Sequence, residues 1–195
     1  ENRFVFPCKN TGKVCIFTDK GQLHTIRVQE LPMGKFRDKG IPIDNISNFS
    51  TEKENLIFIT SQSELNLYRL LFVTRNSMMK VVDGGEFDVS KRTVAATKLT
   101  EDDEVVSVEI LKEQKNIVLQ THDGYFLRFS LEEIPEKKKG AIGVRGMKLS
   151  EQDYVEAVYY TASASDQTIL YKNKNLELNK LKLGRRDSKG VKVRA

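Results

Sequence analysis

The most chemically distinctive residues of this sequence are lysines and arginines gathered into four short segments that also carry small residues. The segments span residues 35–40, 91–96, 137–145 and 184–191. Their basic residues are Lys35, Arg37, Lys39, Lys91, Arg92, Lys137, Lys138, Lys139, Arg145, Arg185, Arg186 and Lys189. Cationic side chains bind phosphate groups, and nearby glycines let backbone amides approach the same groups. If the segments form one row, they can follow a duplex backbone without reading its sequence, because phosphate contacts carry no base information.

An alternative interpretation treats these segments as solvated loops that keep a β-sheet protein soluble. A single run such as residues 137–139 favours that alternative, whereas four basic segments at equivalent positions of a repeat favour a shared ligand. The net charge of +5, from 32 Lys and Arg against 27 Asp and Glu, permits a nucleic-acid partner without requiring one. Local clustering matters more than this sum.

Residue patterns for catalysis or metal binding are missing from the sequence. The only histidines, His24 and His122, fall in or just after predicted hairpin turns, so we expect surface or half-buried residues rather than catalytic bases. Cys8 and Cys15 lack further zinc ligands and are predicted to be small core residues in a reducing cytoplasm. The acidic residues 101–104 lack the alternating ligands and central glycine of a calcium loop, so a solvated turn is expected. We find no phosphate-binding or dinucleotide-binding glycine motif, and no apolar run near the ~20 residues of a membrane span.

The elements that must carry the basic segments are predicted to be short β-strands. Apolar runs are followed by a polar turn and then by a second run, which is the pattern of a tight β-hairpin. The pairs of runs are 14–18 with 22–26, 70–74 with 78–82, and 117–121 with 125–129, with a weaker copy at 168–173. Residues 56–60 are expected to close one unit, and residues 4–6 to lend a strand to a neighbour.

These patterns repeat along the chain. Residues 98–105 are echoed 50 positions later by residues 148–155. A period of roughly 50 residues with about four strands per unit is typical of propeller-like folds, in which neighbouring units must stack to bury their faces. We therefore predict a single all-β domain over residues 1–195. Its units are expected near 1–50, 51–111, 112–161 and 162–195. Because the chain starts at Glu1 without methionine, we expect it to be excised from a longer subunit.

The ordered motifs resemble a known family, the A subunits of bacterial gyrase and topoisomerase IV. Residues 70–80 are similar to the family's LLFVTRNGxVKK repeat, and residues 121–129 to its TxxGxxxRF strand pair. The series continues in the same order with residues 133–135, 139–149 and 153–155. The resemblance covers nearly the whole chain and is strongest from 68 to 160.

The resemblance implies a β-pinwheel, a propeller-like domain of about four strand-exchanging blades arranged as a closed ring or a short open spiral. It also implies a basic rim that binds and bends duplex DNA as an accessory part of an ATP-dependent type IIA DNA topoisomerase. In that family the cleaving tyrosine lies in the N-terminal region of the same polypeptide, whereas the ATPase is a separate polypeptide. We therefore expect no catalytic residue, metal or cofactor in this fragment, with ATP and Mg used elsewhere in the parent enzyme. A cytoplasmic, nucleoid-associated location without a membrane is expected.

One loop motif distinguishes gyrase from topoisomerase IV within the family that the sequence resembles. Gyrases carry Gln-Arg-Arg-Gly-Gly-Lys-Gly, which supports DNA wrapping, and residues 184–190 are the nearest match here. This segment has Asp187 and Ser188 in place of the two central glycines, and its first position also differs. The departure favours topoisomerase IV, or a gyrase-like protein of relaxed type, over a strict gyrase. Four units are also fewer than the five or six common in the family.

Two other functions remain as alternatives. The same scaffold could serve as a propeller-type protein-interaction module without DNA binding, recognisable by an apolar patch on one face. A hydrolase on a propeller scaffold is disfavoured, since no nucleophile and base pair is evident in the sequence.

Overall fold

The computed structural model describes residues 3–162 and 167–194 and shows four β-hairpins in succession. The first three hairpins correspond to the pairs of apolar runs found in the sequence, and the fourth begins in the weaker copy at 168–173. Their strands are β1 (Lys13–Thr18) with β2 (Gln22–Arg27), β4 (Arg69–Thr74) with β5 (Met78–Asp83), β8 (Asn116–Thr121) with β9 (Tyr125–Ser130), and β12 (Thr168–Tyr171) with β13 (Lys174–Glu177).

A threonine that ends the first strand organises the turn of each of the first three hairpins. The hydroxyl oxygens of Thr18, Thr74 and Thr121 each accept a hydrogen bond from the backbone N–H four residues later, at 3.0–3.3 Å. The last turn residue, at positions 21, 77 and 124, adopts a positive φ of 67–88°. Glycine fills two of these positions because it takes this conformation without a steric penalty, and Ser77 fills the third.

A third strand pairs with the first strand of each of these hairpins. These strands are β3 (Leu56–Ser61) on β1, β7 (Val105–Leu111) on β4, and β11 (Val155–Thr161) on β8. Each pairing is antiparallel and contains one bulge near the hairpin turn, which increases the local twist. The position of β3 agrees with the expectation that residues 56–60 close a unit.

The fourth strand of each sheet comes from the following unit. It is β6 (Thr93–Ala95) on β2, β10 (Val144–Arg145) on β5, and β14 (Val191–Lys192) on β9. The result is three four-stranded sheets, β3-β1-β2-β6, β10-β5-β4-β7 and β11-β8-β9-β14, followed by the two-stranded sheet β12-β13. Strand exchange between successive sheets is therefore a property of this chain.

Helical structure is limited to short connections in the described part of the chain. One α-helical turn, α1 (Gln62–Leu65), follows β3, with the Ser61 hydroxyl accepting a hydrogen bond from the Glu64 N–H. Single turns of 3-10 helix follow the second strand of each hairpin, at Val28–Glu30, Gly84–Phe87, Leu131–Glu133 and Leu178–Lys180, and another lies at Ile43–Asn45. None of the helices in the described ranges is long and apolar enough to cross a membrane.

Apolar side chains pack between successive sheets and form the core. In β4, Leu70 and Phe72 face the first sheet, whereas Leu71 and Val73 face the third. Both faces of β4 are thus buried, which explains why this strand is a continuous apolar run in the sequence. Phe126 and Leu178 join the third sheet to the last hairpin in a smaller cluster.

The observed architecture confirms the predicted all-β pinwheel, and several local expectations are corrected. Residues 4–6 form no strand, although the Phe4 ring packs edge-on against Phe58 at 6.0 Å. Cys8 is exposed rather than in the core, whereas Cys15 is buried as expected. His24 is buried rather than on the surface or half-buried, and its imidazole is satisfied there by hydrogen bonds to Glu54 and Thr93.

The acidic turn at residues 101–104 also differs in part from the expected solvated turn. Asp103 is buried, and its carboxylate accepts hydrogen bonds from the backbone N–H groups of Asn76 and Glu104 at 2.9 and 2.8 Å. Asp153 does the same for Asp123 and Tyr154. The repeated acidic motif therefore fastens the loops before β7 and β11 to the neighbouring hairpin turns.

Candidate nucleic-acid interface

Three of the four basic segments lie at the same edge of their sheets. The segments at 91–96, 137–145 and 184–191 contain the exchanged strands β6 and β10 and the first residue of β14. Each of these strands pairs with the second strand of the preceding hairpin. Equivalent pairing in three stacked sheets brings the segments to equivalent places along one side of the molecule. We refer to them as the second, third and fourth basic segments.

Neighbouring segments are also joined by hydrogen bonds at or beside their ends. The Thr97 hydroxyl, just after the second segment, donates a hydrogen bond to the carbonyl oxygen of Ala141 at 3.4 Å. The backbone N–H of Asp187 donates to the carbonyl oxygen of Gly146 at 2.7 Å, and the N–H of Lys148 donates to that of Ser188 at 2.9 Å. The second, third and fourth segments therefore form one continuous row.

The first basic segment, residues 35–40, differs from the others. It forms no strand, and all six of its residues are exposed. Its local order comes from Asp38, whose carboxylate accepts the Lys35 N–H at 2.6 Å and whose own N–H donates to the Lys35 carbonyl at 2.9 Å. Residues that flank the segment contact the row, because Arg92 of the second segment pairs with Glu30 at 3.0 Å and donates to the Ile46 carbonyl oxygen at 3.1 Å.

Six of the predicted binding residues present free cations. Their side chains are exposed, and none makes an ion pair with any residue in the described ranges. These residues are Lys35, Arg37, Lys39, Lys91, Lys137 and Arg185. They are distributed over all four segments, so every segment offers at least one unneutralised positive charge.

The other predicted residues are partly engaged. Arg92 contacts Glu30 as well as the Ile46 carbonyl oxygen, at 3.1 Å. Lys138 reaches Glu86 only at 3.9 Å and keeps 86% of its side chain exposed. Lys139 donates to the Glu86 carbonyl oxygen at 3.5 Å. The Lys189 ammonium lies 4.9 Å from the centre of the Tyr125 ring, within the range of a cation–π contact.

Arg145 and Asp187 form a two-point ion pair between the third and fourth segments. Arg145 Nε and Nη2 lie 2.5 and 3.2 Å from the two carboxylate oxygens of Asp187. The Arg145 hydrogen bond holds the pKa of the Asp187 carboxyl below its usual value, and the same contact raises the pKa of the guanidinium. Asp187 also has a positive φ of 64°, a conformation that glycine adopts freely.

The Arg186 side chain is held by main-chain carbonyl oxygens of the protein. Its Nε donates to the Glu133 carbonyl oxygen and its Nη1 to the Arg145 carbonyl oxygen, both at 2.9 Å. Its guanidinium therefore fastens the fourth segment to the third with two of its five N–H donors.

Buried polar residues that support the row were missed by the sequence analysis. Thr25 on β2 binds the carbonyl oxygens of Lys91 and Arg92 through its hydroxyl and its N–H, at 3.1 and 2.9 Å. Lys80 on β5 and Arg128 on β9 donate to carbonyl oxygens of the following unit. A charged residue inside an otherwise apolar strand is the sequence feature that points to Lys80 and Arg128, whereas Thr25 has no such signal.

The described geometry defines a class of protein, a β-pinwheel whose exchanged strands carry a row of basic segments. Comparison with known proteins gives the particular family. The family model described as "DNA gyrase C-terminal domain, beta-propeller" matches residues 68–112 and 115–162. The DNA gyrase A protein of Lawsonia intracellularis is 32% identical over 166 residues, and that of Helicobacter pylori is 31% identical over 158. These alignments cover 85% and 80% of the chain.

A solved structure extends this similarity to the whole fold. The C-terminal domain of DNA topoisomerase IV superposes with a TM-score of 0.86 at 28% identity and covers 95% of this chain and 59% of its own. The chain belongs to the family of C-terminal domains of the A subunits of bacterial gyrase and topoisomerase IV. It spans 20% and 19% of the length of the two gyrase A proteins.

Proposed function

We propose that this domain binds duplex DNA independently of sequence along the row of basic segments. The observation that carries the proposal is the continuity of the row, in which three segments on equivalent sheet edges contact one another. Unpaired cations on each segment can each neutralise a phosphate and release condensed counterions. Contacts spread over stacked sheets would favour a curved path of the bound DNA. The added contacts would offset a free energy of DNA bending of order 1–6 kcal/mol.

The broader role we propose is that of an accessory domain in an ATP-dependent type IIA DNA topoisomerase. The domain supplies no catalytic residue in this proposal. Its partners are DNA, the separate ATPase subunit, and the N-terminal cleavage region of its own polypeptide, with ATP and Mg used by those other parts. The location is cytoplasmic and nucleoid-associated. Within the family, Asp187 and Ser188 at the glycine positions of the gyrase motif favour a topoisomerase IV-like protein.

A triple variant at unpaired residues of the row tests the DNA-binding proposal. Lys91→Gln, Lys137→Gln and Arg185→Gln remove one charge from each of the second, third and fourth segments. If each residue binds one phosphate, affinity for a ~40 bp duplex at ~100 mM salt should fall at least about tenfold, and the slope of log K against log salt should fall by about 0.9 per contact. Fluorescence anisotropy titrations over a salt series measure both quantities.

A matched control removes the same number of charges from other surfaces. Lys53, Lys115 and Lys174 are exposed, lie outside all four segments and make no ion pair in the described part of the chain. Changing all three to glutamine should leave the salt slope close to that of the wild type. Equal effects of the two triple variants would contradict a specific row. Absence of DNA retention by the wild type would favour the protein-interaction module instead.

A change at the Arg145–Asp187 pair should raise DNA affinity, whereas the triple variant of the row should lower it. Asp187→Asn removes a carboxylate that competes with phosphate for the Arg145 guanidinium, and asparagine tolerates the positive φ at this position. Because exposed ion pairs contribute about 0.2–1 kcal/mol, DNA affinity should rise by up to about fivefold. Asp88→Asn, which breaks the exposed Lys13–Asp88 pair at 2.9 Å, is the charge-matched control. A weaker complex for Asp187→Asn would show that the pair supports the bound geometry.

A further inference from the structure

Lys80 is a lysine whose side chain is completely buried. It lies in β5, and its residue exposure is 0%. Its ammonium donates three hydrogen bonds to main-chain carbonyl oxygens of the third basic segment, to Lys138 at 3.0 Å, Lys139 at 2.8 Å and Ala141 at 2.7 Å. The ammonium group has three N–H donors, so these contacts use its full capacity.

The surroundings of Lys80 explain why a buried charge is tolerated here. Burial lowers the pKa of the Lys80 ammonium to about 8, and the nearby Glu86 carboxylate opposes part of that shift. A buried charge is costly unless it is fully hydrogen-bonded, and three carbonyl dipoles supply that compensation. The Phe72 ring, with its centre 5.6 Å from Nζ, closes the inner side of the site.

The contacts of Lys80 determine the shape of the third basic segment. Between residues 138 and 143 the segment forms no strand of its own. At its start the Lys137 N–H donates to the Val81 carbonyl oxygen at 2.8 Å, and β10 resumes pairing at Val144. Between these two points Lys80 holds three carbonyl oxygens inward, while the Lys137 and Lys138 side chains remain exposed.

A similar contact recurs in the next sheet. Arg128 on β9 donates through Nη1 to the carbonyl oxygens of Asn179 and Leu181, at 3.1 and 3.2 Å. These carbonyls precede the fourth basic segment, whereas those bound by Lys80 lie within the third. Two successive sheets thus use a cation on the second hairpin strand to hold the backbone of the following unit.

We propose that Lys80 is a positioning residue for DNA binding, which fixes the backbone of residues 137–143 so that Lys137 and Lys138 face phosphates. Lys80 itself touches no DNA. This inference rests on the proposed function, because it assigns a buried support to the same row. A positioning role differs from a general structural role in one respect. The effect of Lys80 on DNA binding should depend on the presence of Lys137 and Lys138.

A double-mutant cycle tests the proposal on the whole 195-residue chain. Lys80→Met keeps an unbranched side chain of similar size but removes the charge and its three donors. The variants are Lys80→Met, the pair Lys137→Gln with Lys138→Gln, and all three changes together. Lys80→Met alone should weaken duplex binding by about three- to thirtyfold, the range expected for directly coupled groups. In the background of the two glutamines the same change should have little further effect.

Further variants and measurements separate positioning from loss of folding. Lys80→Arg retains a cation with several donors, as Arg128 does in the third sheet, and should restore most of the lost affinity. Hydrogen exchange of the free protein should show faster exchange in residues 138–143 of Lys80→Met, with the core strands unchanged. An equal loss of affinity in both backgrounds, or no loss from Lys80→Met alone, would overturn the proposal.

Failure of the proposed function has a distinct signature. In that case the wild-type chain itself would not bind duplex DNA, so every arm of the cycle would be flat. That result would overturn the positioning role together with the DNA-binding role. Wild-type binding with additive variants would overturn only the role of Lys80.

Discussion

Gly143→Ala should lower the free energy of unfolding by about 2–4 kcal/mol, because the site excludes a side chain and requires an unusual backbone conformation. Gly143 has φ +103°, and a Cβ atom there would lie 2.3 Å from the carbonyl oxygen of Met79. The close approach exists because Gly143 leads directly into β10, which pairs with Met78 and Met79 of the preceding hairpin. Urea denaturation, with the midpoint and slope fitted separately, measures the loss.

A glycine three residues earlier in the same segment provides the control. A Cβ atom at Gly140 would have no heavy atom within 4 Å. Gly140→Ala should therefore change stability by no more than about 0.5 kcal/mol. If the two variants were equally stable, the strand exchange at β10 would not depend on the close approach of the backbone at Gly143.

Phe87→Ala should cost about 3–5 kcal/mol, the range found when a large buried aromatic residue is truncated. Phe87 has 0% exposure and ends the 3-10 turn after β5. Its ring lies 5.1 Å from that of Phe17 in the first sheet and 5.8 Å from that of Phe72 in the second, with an edge-on arrangement to Phe17. One side chain thus joins two sheets, and its removal leaves a cavity between them.

Phe36 is the matched control for this change, since it is also a phenylalanine but is 105% exposed in the first basic segment. Phe36→Ala should shift the unfolding midpoint very little. Thermal or urea unfolding of both variants gives the comparison. A loss below about 1 kcal/mol for Phe87→Ala would mean that the two sheets close over the vacated space.

The first three hairpins and their order could be predicted from the sequence because their strands are largely buried on both faces. Leu70 to Val73 alternate between two cores, so the run is apolar at every position and ends at a polar turn. The exchanged strands could not be located, since β10 and β14 contain two residues each and lie in or beside basic segments that resemble loops. Their pairing depends on strand residues that lie 65–67 positions earlier in the chain, and local composition does not encode such a partner.

The candidate interface was predictable only in part. Basic residues at equivalent repeat positions predicted a row of four segments. In the structure the second, third and fourth segments lie at the same sheet edge, whereas the first forms no strand. Binding of DNA by these residues stays a prediction. The sequence did not reveal which cations are free, because Arg186 is held by two carbonyl oxygens and Arg145 by Asp187. Nor could it distinguish Lys80 from a surface lysine, since its burial follows from carbonyl oxygens 58–61 residues away.

Completion of each sheet by the next unit has a consequence for how such a domain can grow or shrink during evolution. A gene segment cut at hairpin boundaries would carry a sheet without its last strand and would deprive the preceding sheet of the strand it had received. Insertion or loss of one repeat therefore disturbs two junctions at once. The number of repeats can change only where the new neighbouring unit supplies a strand that pairs with the open edge of the preceding sheet.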